Sequence, residues 1–185
     1  MRHFLHERLW RRIKIHRSVI LRSLGVVCAV VFVVVVIRVH MPRPGAATFN
    51  KEYDVSLINY DGQSVRFDTF KHKPVIVFFW ATWCPYCQAE LTHLGALKTQ
   101  YGGGVQVLAV DRGESRADAK AFTDALMLPP GIIFLLDQDD GLFKQMKGYA
   151  VPETVFVNAH GEEVVHQHGP MTPAEADQAV QKILQ

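Results

Sequence analysis

The sequence predicts an α/β protein whose mixed central sheet is flanked by helices, with an N-terminal β-hairpin and, before it, a transmembrane helix. Three observations lead to this prediction. Strand and helix patterns alternate from residue 53 to residue 185, as they do around a parallel or mixed sheet that is covered on both faces. A Cys-x-x-Cys motif, Cys84 to Cys87, stands where a strand pattern ends and a helix pattern begins. An uncharged apolar run covers residues 23–37.

The composition excludes several classes of protein. With 185 residues, 49% of them hydrophobic, the chain is long enough for one domain plus an appendage and too apolar to be mainly disordered. Residues 1–22 carry seven Lys and Arg against one Glu, a local charge of +6; since the whole chain carries +2, the remainder carries −4. The remainder therefore has no basic patch for nucleic acid. Three cysteines are too few for a four-thiolate zinc site.

The N-terminal region is predicted to anchor the chain in a membrane. A helix over residues 23–37 would span about 22 Å, less than the ~30 Å of a hydrocarbon core. Extension to residues 19–39 gives enough length, because Arg22 and Arg38 can reach the two interfaces. Cys28 lies inside this run and would pack in the membrane helix.

The basic charge before the run predicts a single-pass protein with its N-terminus in the cytoplasm and the rest of the chain outside. The predicted organisation is a cytoplasmic segment 1–18, an anchor 19–39, a linker 40–50 and an extracytoplasmic domain 51–185. A cleaved signal peptide is the alternative, with Gly45-Ala46-Ala47 as its small-residue cleavage site. Both alternatives export the domain.

The exported domain begins with a predicted hairpin over residues 53–67, turning at Asp61-Gly62, and a short turn or helix over 68–73. The continuous apolar segment 75–81 favours a strand that is buried on both faces. Helical spacing then extends over 85–101 and ends at three consecutive glycines.

The second half alternates in the same way. Ser115 is a candidate N-cap for a helix that extends to Leu126. Thr172, Pro173 and Glu175 form a capping-box pattern that opens the last helix. The remaining predicted elements are strands over 105–110 and 131–136, a short helix over 141–149, and a hairpin of strands 154–157 and 163–168.

Several motifs in order resemble one known family. They are Trp80 to Leu91 around the cysteines, Val110 to Ser115, Tyr149 to Thr154, and Gly169 to Thr172. Over residues 50–185 the chain resembles membrane-anchored thioredoxin-like oxidoreductases of the TlpA, ResA and CcmG (DsbE) type. The resemblance implies a thioredoxin fold with an N-terminal hairpin and an inserted segment before the third core strand. It also implies an extracytoplasmic thiol-disulfide oxidoreductase that needs no cofactor.

The resemblance also assigns roles to residues. The implied catalytic residues are Cys84, Cys87, Glu90 and Pro152. Cys84 would be the nucleophile, Cys87 the resolving thiol and Glu90 a modulator of proton transfer, and Pro152 would follow a cis peptide bond. The two cysteines would form the redox-active disulfide. Implied substrate-docking residues are Trp83, Pro85, Tyr86, Val151 and Thr154.

The implied partners are a disulfide-containing client, such as apocytochrome c or a copper-site assembly protein, and a membrane electron donor of the thiol reductase type. Membrane lipid would contact residues 19–39. Three alternatives stay open: a disulfide-donating oxidant, a thiol-based copper chaperone or scaffold, and a peroxidase, against which the tandem cysteines argue. His166 and His168 share one face of a strand, but no third ligand is evident, so no metal site is predicted.

Overall fold

The structure, a computed structural model, describes residues 29–33 and 55–185. Residues 29–33 are helical, and the side chains from Val30 to Val33 are exposed. Within the described ranges, no helix has both the length and the apolar character needed to cross a membrane. The predicted segment 1–18, the linker 40–50, residues 51–54 and most of the predicted anchor 19–39, with Cys28, lie outside the described residues.

Seven strands and four α-helices make up residues 55–185. The strands are β1 Ser56–Asn59, β2 Ser64–Arg66, β3 Val75–Trp80, β4 Gln106–Arg112, β5 Ile132–Asp137, β6 Glu153–Val157 and β7 Glu163–His168. The helices are α1 Cys87–Tyr101, α2 Arg116–Ala125, α3 Gly141–Gln145 and α4 Pro173–Ile183, with single 3-10 turns at Phe67–Phe70 and Gly102–Gly104. The predicted order of elements is confirmed, including the capping box at Thr172.

The strands form one mixed sheet in the order β2-β1-β5-β4-β3-β6-β7. The three strands β3, β4 and β5 are parallel, and every other neighbouring pair is antiparallel. The β1–β2 hairpin joins the sheet beside β5, and the segment β5–α3 lies between α2 and β6. The Cys motif therefore follows β3, a strand in the interior of the sheet.

Strand β3 is completely buried because each of its faces covers a separate core layer. Ile76, Phe78 and Trp80 pack with Cys84, Cys87 and the apolar sides of α1 and α4. Val75, Val77 and Phe79 face the opposite layer, which includes α3. Because side chains alternate along β3, one of its faces packs together with the Cys pair in the larger of the two core clusters.

Two predicted helices are shorter than expected. Helix α1 begins at Cys87 rather than residue 85, because Cys84 and Cys87 donate turn hydrogen bonds to Ala81 and Cys84 at 3.2 and 3.3 Å. Helix α3 ends at Gln145 rather than near residue 149. Lys147 is left-handed (φ 58°), and a Cβ at Gly148 would lie 2.2 Å from the Phe143 ring, so the chain turns away there.

Candidate active site

The Cys pair lies in the turn that joins β3 to α1. Cys84 and Cys87 form a disulfide with an S–S distance of 2.07 Å and a Cα–Cα distance of 5.4 Å. Cys84 is 3% exposed and Cys87 is fully buried. Since Cys87 is the first residue of α1, the pair stands at the positive end of a helix, where a thiolate is favoured.

Exposed aromatic side chains surround this buried pair. Trp83 is 65% exposed and Tyr86 is 59% exposed, and Pro85 between the cysteines is exposed as well. Trp80 instead lies in the core, stacked on Phe122 with ring centroids 5.5 Å apart, as the sequence predicts. The surface next to the disulfide is therefore apolar and accessible.

The Val151–Pro152 peptide bond is cis, which confirms that prediction. Pro152 is buried, and its carbonyl oxygen accepts a hydrogen bond from the Gly169 amide at 3.0 Å. Val151 is partly exposed and packs against the core cluster that contains both cysteines. The segment before Pro152 thus packs on the core cluster that includes the redox pair, with part of Val151 open to solvent.

Glu90 is a buried acid on the same helix as Cys87. Its side chain is 3% exposed, so Glu90 is not a solvated surface glutamate. The Thr154 hydroxyl donates to its Oε1 at 3.3 Å, and Oε2 is buried. Burial raises the pKa of Glu90 to about 7, against the lowering effects of the Thr154 hydroxyl and of the Met171 backbone amide. Such a carboxyl can gain or lose a proton near neutral pH.

The position of Thr154 requires a correction. The side chain was expected to contact a docked substrate, but it is completely buried in β6. Its hydroxyl is directed to Glu90 across the core. Thr154 is therefore placed to hydrogen-bond Glu90 and not to contact a client at the surface.

Two carboxyl groups beside the Cys motif, those of Asp111 and Glu114, were not predicted from the sequence. Glu114 accepts hydrogen bonds from the Thr82 amide at 2.6 Å and from the Thr82 hydroxyl at 2.5 Å. Asp111 is fully buried opposite Trp80 in the β3–β4 register, and its Oδ1 accepts from the Glu114 amide at 3.1 Å. Burial, followed by the neighbouring Glu114, raises the pKa of Asp111 to about 8. Both acids stand at the carboxyl end of a parallel strand beside β3, a position that favours functional residues.

Replacing Glu114 by alanine is expected to lower the free energy of unfolding by about 1–3 kcal/mol, because the Thr82 amide and hydroxyl lose their acceptor. Urea denaturation at neutral pH measures this loss. The matched control is Asp124→Ala, which removes an exposed ion pair with Lys120 and should cost less than about 1 kcal/mol. Equal effects of the two substitutions would contradict the role given to Glu114.

The expectation that His166 and His168 lack a third ligand is also wrong. Glu153 lies opposite His168 on β6, and its Oε1 is 2.5 Å from His166 Nε2 and 3.2 Å from His168 Nδ1. His166 Nδ1 lies 3.2 Å from Glu163 Oε1. The contact with Glu163, followed by that with Glu153, raises the pKa of His166. The spacing of the two histidines was visible in the sequence, whereas the pairing of β6 with β7 was needed to bring Glu153 to them.

Comparison with known proteins adds the following. The model of the AhpC/TSA family matches residues 49–166. The thiol-disulfide oxidoreductase ResA of Halalkalibacterium halodurans is 30% identical over 131 residues, which cover 69% of this chain and 72% of the relative. The thiol:disulfide interchange protein DsbE of Escherichia coli K12 is 28% identical over 123 residues, which cover 66% of this chain and 64% of the relative.

Solved structures of similar proteins share the fold. A putative DsbE from Chlorobium tepidum superposes with a TM-score of 0.66 at 21% identity, covering 76% of this chain and 100% of that one. A secreted Mycobacterium tuberculosis disulfide oxidoreductase, described as homologous to E. coli DsbE, gives a TM-score of 0.63 at 20% identity, covering 70% and 96%. These similarities confirm the predicted thioredoxin-like fold.

Proposed function

The chain belongs to the AhpC/TSA family and is a thiol-disulfide oxidoreductase of the ResA and DsbE type, and on this basis we propose that it reduces disulfides of client proteins outside the cytoplasm. One observation carries the proposal: the Cys84–Cys87 disulfide stands at the start of α1, and the side chains of Trp83 and Tyr86, each next to one of the cysteines, are exposed. A client peptide can therefore be bound beside the reacting sulfur atoms.

The reaction transfers two electrons from the protein to the client. In the dithiol state, the Cys84 thiolate attacks one sulfur of the client disulfide and forms a mixed disulfide. The other client sulfur leaves as a thiolate and takes a proton. The Cys87 thiolate then attacks the Cys84 sulfur, which releases the second client thiolate and leaves the Cys84–Cys87 disulfide.

The two cysteines have different burial, and this supports different roles. Cys84 is the one with some exposure, at 3%, so its sulfur is the one that a client disulfide can approach. Cys87 is fully buried at the first position of α1 and reaches only Cys84. We assign nucleophilic attack to Cys84 and resolution to Cys87.

Glu90 is assigned to proton transfer at Cys87. It follows Cys87 by three residues, which places the two side chains on neighbouring positions of the helix surface. A carboxyl with a pKa of about 7 is divided between its two protonation states at neutral pH. Glu90 can therefore accept the Cys87 proton before resolution and return it when the pair is reduced again.

Docking is assigned to the exposed groups of the Cys motif and to the segment before Pro152. Trp83, Pro85 and Tyr86 offer an apolar surface to the client side chains. The backbone at Val151 can pair with an extended client segment as an added β-strand would. In this mode of binding, the client is recognised mainly by hydrogen bonds to its backbone and less by its side chains. It therefore suits clients that are unfolded around their disulfide.

The proposed location is the extracytoplasmic side of the bacterial inner membrane. The basic segment 1–18 and the apolar residues 19–39 support a single-pass anchor with a cytoplasmic N-terminus. An oxidising compartment would return the pair to its disulfide state, so the proposal includes a membrane thiol reductase as electron donor. The proposed clients are apocytochrome c or proteins that assemble the copper sites of oxidases.

A reductant is expected to have a low reduction potential. We expect the Cys84–Cys87 couple to lie nearer to the about −270 mV of thioredoxin than to the about −120 mV of a strong oxidant. Equilibration of the full chain in glutathione or dithiothreitol redox buffers measures this potential. A value at the oxidising end of that range would instead favour a protein that donates disulfides.

The variant Cys87→Ser is expected to accumulate mixed disulfides with clients, because Cys84 can still attack but no resolving thiol remains. Non-reducing electrophoresis of cell extracts, followed by mass spectrometry, measures the trapped species. The double variant with Cys84→Ser is the matched control and should trap nothing. Partners confined to the cytoplasm would contradict the proposed location, and an absence of trapped species would contradict the proposed roles.

A further inference from the structure

We propose that Glu153, His166 and His168 form a binding site for a divalent transition metal ion of the Zn²⁺ or Cu²⁺ type. One possible ligand atom from each of the three side chains lies within 4.8 Å of the other two. The site is separate from the two cysteines and would exist in the disulfide state. It goes beyond the thiol-disulfide exchange proposed above.

The geometry follows from the pairing of β6 with β7. His166 and His168 are two residues apart on β7, so they project from the same face of the sheet. The antiparallel register places Glu153 opposite His168. As a result, both imidazoles converge on Glu153 Oε1, at 2.5 Å from His166 and 3.2 Å from His168, and the two rings stack with centroids 4.5 Å apart.

Two of the three side chains are held in place by other groups. Glu153 Oε2 accepts hydrogen bonds from the Tyr149 and Ala150 amides at 2.7 and 3.2 Å, so Oε1 remains directed at the histidines. The second ring nitrogen of His166 lies 3.2 Å from Glu163 Oε1. A carboxylate on the second ring nitrogen is the usual support of a metal-binding histidine, since it orients the ring and increases its basicity.

Two imidazoles and one carboxylate are a donor set that Zn²⁺ accepts, usually with a fourth position left for water or substrate. Imidazole nitrogen also suits Cu²⁺, which precedes Zn²⁺ in the usual affinity order. Metal–ligand bonds of about 2.0–2.2 Å in a tetrahedron place ligand atoms roughly 3.4 Å apart. The His168–Glu153 distance of 3.2 Å is already near this value, whereas the His166–Glu153 contact has to open.

The burial pattern fits a site that is open on one side. The Glu153 side chain is fully buried, that of His166 is 15% exposed and that of His168 is 56% exposed. The remaining coordination positions would therefore face solvent. Because Glu153 follows Pro152 and also binds the amides of residues 149 and 150, the metal ion would join β7 to the segment proposed to dock clients.

The test is calorimetric titration of the full-length chain in detergent with Zn²⁺ alone and with Cu²⁺ alone. The Cys84–Cys87 pair is kept as a disulfide and every protein in the test carries Cys28→Ser, so that no thiol can bind the metal. We expect His168→Ala to weaken the tightest binding event at least about tenfold. His160→Ala is the matched control, because this exposed histidine lies in the turn between the same two strands, and it should leave the affinity unchanged.

Electron paramagnetic resonance of the Cu²⁺ form gives a second readout, with hyperfine coupling from two imidazole nitrogens in the natural protein and one in His168→Ala. His168→Gln repeats the test in a second variant, and the unfolding midpoint of each variant verifies that it is folded. The proposal is overturned if neither metal binds, or if the affinity is the same in the natural protein and both His168 variants.

Discussion

Replacing Cys84 by serine is expected to abolish the reduction of insulin disulfides. A serine hydroxyl is not ionised near neutral pH and cannot attack a disulfide, whereas a thiol at the start of a helix is partly thiolate. Cys87 cannot take over, because its side chain is fully buried. The rate should fall to that of the reaction without the protein.

The assay follows insulin precipitation with dithiothreitol as the electron source. Cys28→Ser is the matched control: it removes the one cysteine outside the motif, which lies outside the described residues, and should retain full activity. Normal turnover by the Cys84 variant would refute the assignment of the nucleophile and, with it, the proposed reaction.

Replacing Glu90 by glutamine is expected to stabilise the protein above pH 7. The Glu90 carboxyl has an ordinary pKa of 4.5, and burial raises it to about 7 in the folded protein. Between these two values the folded chain holds a proton that the unfolded chain has lost. The free energy of unfolding therefore falls as the pH rises from about 4.5 to about 7 and is constant beyond that range.

The size of this loss is about 3 kcal/mol, since each pKa unit between the folded and unfolded chains corresponds to about 1.4 kcal/mol. Glutamine has the same shape and no charge, so Glu90→Gln should match the natural protein below pH 4.5 and exceed its stability by about this amount above pH 7. Asp111 titrates in both proteins, and its contribution cancels in the difference.

The measurement is denaturant unfolding of both proteins in the disulfide state between pH 4 and 9, so that the thiols do not titrate. Coincidence of the two curves at low pH is the internal control. A difference that does not vary with pH would show that Glu90 has the same pKa in the folded and unfolded chains, contrary to the effect expected from its burial. In the dithiol state, the same variant should lengthen the lifetime of the mixed disulfide, because Cys87 loses its proton acceptor.

The local elements follow from residues that are close together in the chain. The apolar segment before Cys84, the helical spacing after Cys87 and the capping box at Thr172 each depend on a few neighbouring positions, and the structure has all three elements. The ends of the helices were predicted less accurately. The end of α3 depends on a left-handed residue, Lys147, and on the Phe143 ring over Gly148, neither of which gives a periodic signal.

The chain by itself determined the order of the strands and helices, the redox motif and the cis bond before Pro152, which was identified by resemblance. Only the tertiary structure decided which polar groups meet around them. Glu90 and Thr154 are 64 positions apart and Thr82 and Glu114 are 32 apart, yet each pair is joined by a hydrogen bond. Such contacts depend on which strands are neighbours in the sheet and on their register. Both are set by the packing of the whole sheet and not by local sequence.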